Sequence, residues 1–171
     1  MEFLFLLASL LTVQALPFNV SHAQDEKGLG GDVWWVTTCG NTLFAGSYKE
    51  MMEWESCKTW CSDISLGGDI GESFTFSDLR DEDEGLCVKE WMTSEYAGTR
   101  GYAGHYWLGG YRDETGEYQW ASGHPMTYTD FVNKPGSKPY IHLTPGNGYA
   151  WNTKNDQNDQ NNGCLCRLDR N

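Results

Sequence analysis

The residues able to do chemistry in this chain are six cysteines, four histidines and a polar run near the C-terminus. His105, His124 and His142 fall in separate segments, with no Gly-x-Ser-x-Gly elbow and no Cys–His signature beside them. They read as surface or core residues rather than bases, and no enzyme is expected. The cysteines stand at Cys39, Cys57, Cys61, Cys87, Cys164 and Cys166. Neither Cys57-x-x-x-Cys61 nor Cys164-Leu165-Cys166 has the Cys-x-x-Cys spacing of common zinc sites, so disulfides are the better reading. Residues 152–162 form a low-complexity polar run. Its Asn155, Asp156, Asn158 and Asp159 offer hard oxygens at a spacing similar to acidic calcium loops. No glycine turn or closing glutamate follows, and a solvated loop is the plainer reading.

Several elements must hold these residues. Residues 105–111 and 116–120 are aromatic-rich runs flanking the polar stretch Arg112-Asp113-Glu114-Thr115. Aromatics suit a half-buried strand, and a short polar loop closing on glycine suits a hairpin. The paired Gly109 and Gly110 inside the first run suggest a bulge or a close backbone approach. Residues 32–44 read as one or two strands. Residues 48–62 read as a helix, because Met51, Trp54, Cys57, Lys58 and Cys61 recur at helical spacing. Cys57 and Cys61, four apart, then face one side. Residues 77–92 read as a second helix with Ser77 as N-cap and Leu79, Leu86, Val88 and Trp91 as its buried stripe. The acidic run 81–84 reads as a solvated helix face. Residues 131–150 form a long loop region containing a short strand at 140–143, another strand begins at Trp151, and residues 163–168 form the last.

Length suggests one domain. The formal net charge is −12 and the sequence pI about 4.6. Such a chain repels nucleic acid phosphates and anionic lipid heads, so neither partner is expected. The apolar run after Met1-Glu2 is too short to span a bilayer but suits a signal peptide. Small residues allow cleavage after Ala15 or Ala23, giving a signal at 1–15 (or 1–23), a flexible leader at 16–31 and a domain at 32–171. No later stretch reads as a membrane span, so a secreted, extracellular protein is expected. Asn19-Val20-Ser21 is a glycosylation sequon if the earlier cleavage operates.

Trp107-Leu108-Gly109, then Trp120, then residues 126–131 ending in Phe131, resemble the core of the C-type lectin-like domain. Trp54, Cys61 and Gly67-Gly68-Asp69-Ile70 are similar to its first helix and exit, with Cys57 standing where the family usually has alanine. The resemblance covers residues 39–171. It implies an α+β fold with two helices, a small antiparallel sheet and a long irregular loop, stabilised by disulfides. It also implies a bridge from Cys61 to Cys166. The family's second bridge is missing, since Tyr140 and Asp156 stand at its places. The matched spacings of Cys57–Cys61 on a helix and Cys164–Cys166 on a strand then suggest a second rung, Cys57 to Cys164, leaving Cys39 to Cys87.

Sugar-binding members of that family hold calcium between a Glu-Pro-Asn or Gln-Pro-Asp triplet and a Trp-Asn-Asp strand. Here the places hold Lys134-Pro135-Gly136 and Trp151-Asn152-Thr153. Lysine cannot ligate calcium, Gly136 has no side-chain oxygen and Thr153 replaces a carboxylate. No metal is expected at the usual site and no cofactor is assigned; calcium on Asn155, Asp156, Asn158 and Asp159 is the alternative. The resemblance implies a non-catalytic module that recognises glycan or glycoprotein, with Lys134, Asn152, Asn155 and Asp156 as candidate ligand-binding residues. The competing expectation is a lectin-like domain that takes a protein ligand or plays a structural extracellular role without sugar.

Overall fold

The computed structural model describes residues 34–47, 52–64, 73–94, 104–154 and 162–170. The signal, the leader and Asn19 lie outside them, as do Asn155, Asp156, Asn158 and Asp159. The elements in chain order are β1 (Trp34–Cys39), β2 (Thr42–Ser47), α1 (Trp54–Asp63), β3 (Thr75–Phe76), α2 (Glu82–Thr93), β4 (His105–Arg112), β5 (Tyr118–Trp120), β6 (Tyr140–Thr144), a 3-10 turn (Pro145–Asn147), β7 (Ala150–Lys154) and β8 (Asn162–Asp169). Residues 34–47 thus form a hairpin of two strands. It turns through Gly40-Asn41, and Gly40 has the positive φ of +60° that such two-residue turns require.

Among the described residues the strands join in the order β1-β2-β8-β4-β6-β7, with β3 on β8 and β5 on β4. All pairs are antiparallel except β4 with β8, which run parallel at His105↔Asn162 to Trp107↔Cys164. No hairpin links those two strands. A long connection does, and parallel neighbours need one.

Both faces of the sheet centre are buried. Strand alternation sends Phe44, Leu108 and Leu165 to one side, where they pack with Val88, Trp91 and Met92 of α2. It sends Leu43, Trp107, Cys164 and Cys166 to the other, where they pack with Trp54, Cys57 and Cys61 of α1. The indole N–H groups buried there are paired: Trp54 Nε1 donates to Leu108 O at 2.7 Å and Trp107 Nε1 to Met52 O at 2.9 Å. Tyr140 stacks on Trp54 at 4.9 Å between ring centroids, and so contributes packing rather than a bridge.

Three disulfides close the fold: Cys39–Cys87, Cys57–Cys164 and Cys61–Cys166, the pairings the resemblance and the matched spacing imply. The last two lie side by side between α1 and β8.

The paired glycines of β4 serve as both a bulge and a close approach. The β4–β6 register shifts between Trp107 and Tyr111. A Cβ on Gly110 would lie 2.5 Å from Ile141 Cδ1, and one on Gly109 3.2 Å from Ser77 O. The Gly109 N–H donates to that same carbonyl at 2.7 Å.

Four local expectations are corrected. The first helix starts at Trp54 within the described residues, because Met52 instead bridges to Asn162. The second starts at Glu82, capped by Asp81, whose carboxylate accepts from Glu84 N–H at 2.9 Å. Ser77 and Asp78 are drawn away to β4 and to the buried Arg167. Leu86 is 47% exposed, whereas Gly85 is buried under the Tyr128 ring. In the acidic run, Glu84 turns inward to the same arginine.

Arg167, at 2% exposure, is a charge inside the protein. Its Nη1 donates to Asp78 Oδ1 at 2.7 Å and Asp78 O at 2.8 Å; its Nη2 donates to Glu84 Oε1 at 3.0 Å and Asp169 Oδ1 at 2.5 Å. Burying a charge is tolerated only when it is paired in this way. Burial pushes the Asp169 carboxyl up, but its contacts with Arg167 and Arg80 outweigh that and hold it below the ordinary value. The contribution of Asp169 to stability is therefore present above the ordinary aspartate pKa and is lost as pH falls through the lower folded value.

Two predictions follow from this framework. Arg167→Met leaves the Asp78 carboxylate, 1% exposed, with Arg80, Ser122 and His124 as its remaining neighbours, and should cost about 3–5 kcal/mol in urea unfolding. A loss below about 1 kcal/mol would show that Arg80 suffices as the partner. The paired rungs should be non-additive. With one rung intact, the other closes only a short circuit, so Cys57→Ala/Cys164→Ala or Cys61→Ala/Cys166→Ala should cost about 2.5 kcal/mol. Removing both opens a loop of 105 residues, and the second removal should cost about 4.7 kcal/mol more. Equal, additive losses in denaturant unfolding would refute the shared-loop account.

Candidate functional site

Asn152 takes its position from strand alternation: in β7, Trp151 and Thr153 are buried and Asn152 is exposed. The Trp151 ring meets Trp120, Tyr128 and Phe131 edge-on at 5.3, 5.4 and 5.4 Å. The chain passes this strand again at residues 130–132. Trp151 N–H donates to Asp130 O at 2.8 Å and Val132 N–H donates to Trp151 O at 3.0 Å, forming a parallel bridge of Phe131 with Trp151. An ion pair of Lys89 with Asp130 ties the same point to α2.

The far end of the loop is anchored too. Arg112 N–H donates to Pro139 O at 2.7 Å. The Tyr118 hydroxyl donates to Lys138 O at 2.5 Å and lies 3.3 Å from Gly136 O. Burial pushes this phenol up, against the opposing pull of Thr153 and Arg112, so it stays a donor at neutral pH.

Between the anchors, residues 131–138 make one wall of a cleft of about 180 Å³ and β7 the other. Lys134 and Asn152, both candidates from the sequence, meet here. Asn133 and Lys138 join them and were missed, because nothing local marks a loop residue as facing another strand. The signal available was two lysines flanking Pro135-Gly136-Ser137 in so acidic a chain. Lys134, Lys138, Asn133 and Asn152 are exposed, and Phe131 is half-buried. Among the described residues neither lysine has an ion pair.

The donors here do not fit calcium. Lys134 brings an ammonium, Gly136 brings no side chain, and the Asn152 Oδ1 already accepts from Thr153 N–H at 2.8 Å. Among the described residues no group of three or more His, Cys, Asp or Glu side chains is placed to hold a metal.

The fold does bring histidines to company the sequence kept apart. His105 and His142 lie with ring centroids 5.4 Å apart through the β4–β6 pairing. His124 joins Ser122 and Asp78, where Ser122 Oγ donates to Asp78 Oδ2 at 2.6 Å. His124 Nδ1 is 3.2 Å from that hydroxyl and 3.4 Å from that carboxylate oxygen. One ring nitrogen faces both groups. A relay needs the hydroxyl and the carboxylate on opposite nitrogens, so this trio does not form one.

The fold has counterparts among solved structures. The chain is similar to CEL-I, a C-type lectin from Cucumaria echinata, at 19% identity and a TM-score of 0.62, over 78% of this chain and 94% of that one. It is similar to the C-type lectin domain of murine dendritic cell inhibitory receptor 2, solved in complex with N-glycan, at 11% identity and a TM-score of 0.59, over 79% and 96%. A calcium-independent type II antifreeze protein matches at 18% identity and a TM-score of 0.56, over 78% and 91%. No protein-family model and no curated protein matches the sequence. At these identities the likeness is one of fold, and by fold the chain is a C-type lectin-like domain. Among the described residues no helix is long and apolar enough to cross a membrane.

The donor set carries a prediction. A calcium site filled to about 100 times its Kd would stabilise the native state by about 2.7 kcal/mol. We expect no rise in melting temperature between a chelator and millimolar calcium. A clear rise would hand the ion to Asn155, Asp156, Asn158 and Asp159, outside the described residues.

Proposed function

We propose that this chain is a secreted, non-catalytic recognition module that binds glycan or glycoprotein through the cleft between residues 131–138 and β7, without calcium. The observation that carries the reading is the cleft itself. An anchored loop presents the exposed Asn133 amide and the half-buried Phe131 ring against the exposed Asn152 of β7. Amides pair with hydroxyls as donor and acceptor, and the face of an aromatic ring takes the apolar C–H face of a sugar. Two solved structures of this fold, CEL-I and the N-glycan complex, are of C-type lectins, which supports carbohydrate as the ligand class. Three disulfides support an oxidising, extracellular setting.

A second reading, a protein ligand or a structural extracellular role without sugar, draws on Lys134 in the cleft. It draws also on the likeness to a calcium-independent antifreeze protein.

A glycan array run with calcium and again with a chelator separates these. Binding that survives the chelator, and that weakens about five- to tenfold in Asn152→Ala as expected for one lost hydrogen bond, supports the carbohydrate reading. An array silent in both conditions would favour the second.

A further inference from the structure

We propose that the cleft selects saccharides ending in an anionic residue, a sugar bearing a carboxylate or a sulfate ester, held by the ammonium groups of Lys134 and Lys138. This rests on the carbohydrate reading and narrows it. The charge balance points there first. The chain carries −12, and three of its buried or half-buried cations are matched with carboxylates: Arg167 with Asp78, Glu84 and Asp169, Arg80 with Asp78 and Asp169, and Lys89 with Asp130. Two others have neutral partners, Arg112 the Gly116 carbonyl at 2.7 Å and Lys154 the Asn162 amide oxygen at 3.0 Å. Lys134 and Lys138 line one small cleft and have no such partner among the described residues. Two like charges on one loop repel each other, and an anion between them relieves that repulsion.

The backbone beneath the lysines is set in advance. Tyr118 holds Lys138 O, and the Phe131–Trp151 bridge holds the other end, so little ordering remains to be done on binding. The neighbours suit a sugar: Asn133 and Asn152 face hydroxyls and Phe131 offers a half-buried ring.

Size and field limit the ligand further. At about 180 Å³ the cleft falls below the ~300–1,000 Å³ of drug-sized pockets, leaving room for one terminal residue. The surrounding negative charge repels a long polyanion, so a single charged terminus is favoured over a charged polymer.

The test titrates the mature protein with galactose 6-sulfate, glucuronic acid, the methyl glycoside of N-acetylneuraminic acid, galactose and a poly-aspartate peptide, at low and at high salt. We expect at least one acidic sugar to bind about tenfold more tightly than galactose and to weaken with salt. That preference should vanish in Lys134→Gln and in Lys138→Gln, while Lys58→Gln on the exposed face of α1 retains it. Binding by the sulfated sugar alone, or by the carboxylated ones alone, supports the proposal and identifies the anion. Acidic sugars binding no better than galactose would overturn it while leaving the carbohydrate reading intact. Poly-aspartate binding as tightly as the sugars would overturn the saccharide class, and no binding by any sugar would remove both readings.

Discussion

The buried guanidinium of Arg167 is the constraint on which most of the structure depends. A charge at 2% exposure must collect partners, and it collects them from four places: Asp78 before α2, Glu84 within α2, Asp169 on its own strand and Thr42 on β2. That demand pulls residues 77–80 down against the sheet and delays the start of α2 to Glu82. Ser77 is thereby laid against Gly109, where an added Cβ would sit a tight 3.2 Å from the Ser77 carbonyl. From β4 the placement passes through β6 to β7, and so to the cleft.

Strand β8 is the seam of the molecule. Its first residues pair with β4 and its later ones with β2 and β3, while α1 is bolted to it by two adjacent disulfides. Opposite faces of one strand thus feed two cores, one under each helix. Strand β7, at the end of the sheet, would otherwise present a bare edge. Residues 130–132 cover it with main-chain hydrogen bonds, which protects the edge and at the same time launches the wall of the cleft.

The cleft shows what a stable scaffold permits. The loop between its anchors contributes little to either core, so its side chains are free to follow the ligand rather than the packing. In the cleft Lys134 brings an ammonium donor and Gly136 brings no side chain. The residues that hold the scaffold together and those that line the cleft are thus largely separate sets.

Local spacing alone determined a good deal. The alternation and aromatic runs of 105–120 specified the hairpin, and Gly109-Gly110 signalled both the bulge and the close approach. The disulfide pairing needed more than spacing: the family resemblance implied Cys61–Cys166, and the four-residue step of Cys57–Cys61 against the two-residue step of Cys164–Cys166 then suggested the second rung. Lys134 and Gly136 were legible as residues that bring no side-chain oxygen to the loop. What only the tertiary structure decided was which faces meet. Ser77 looked like a helix cap because local rules reward it, but Arg167, 89 residues from Asp78, outbid them with a buried charge. Leu86 looked buried by spacing, yet no element covers that side of α2 among the described residues. Lys138 and Asn133 became cleft residues only when a loop crossed a strand that follows it in the chain. Periodicity records which residues share a face of one element; the pairing of faces is set by long-range contacts whose free energy no local window contains.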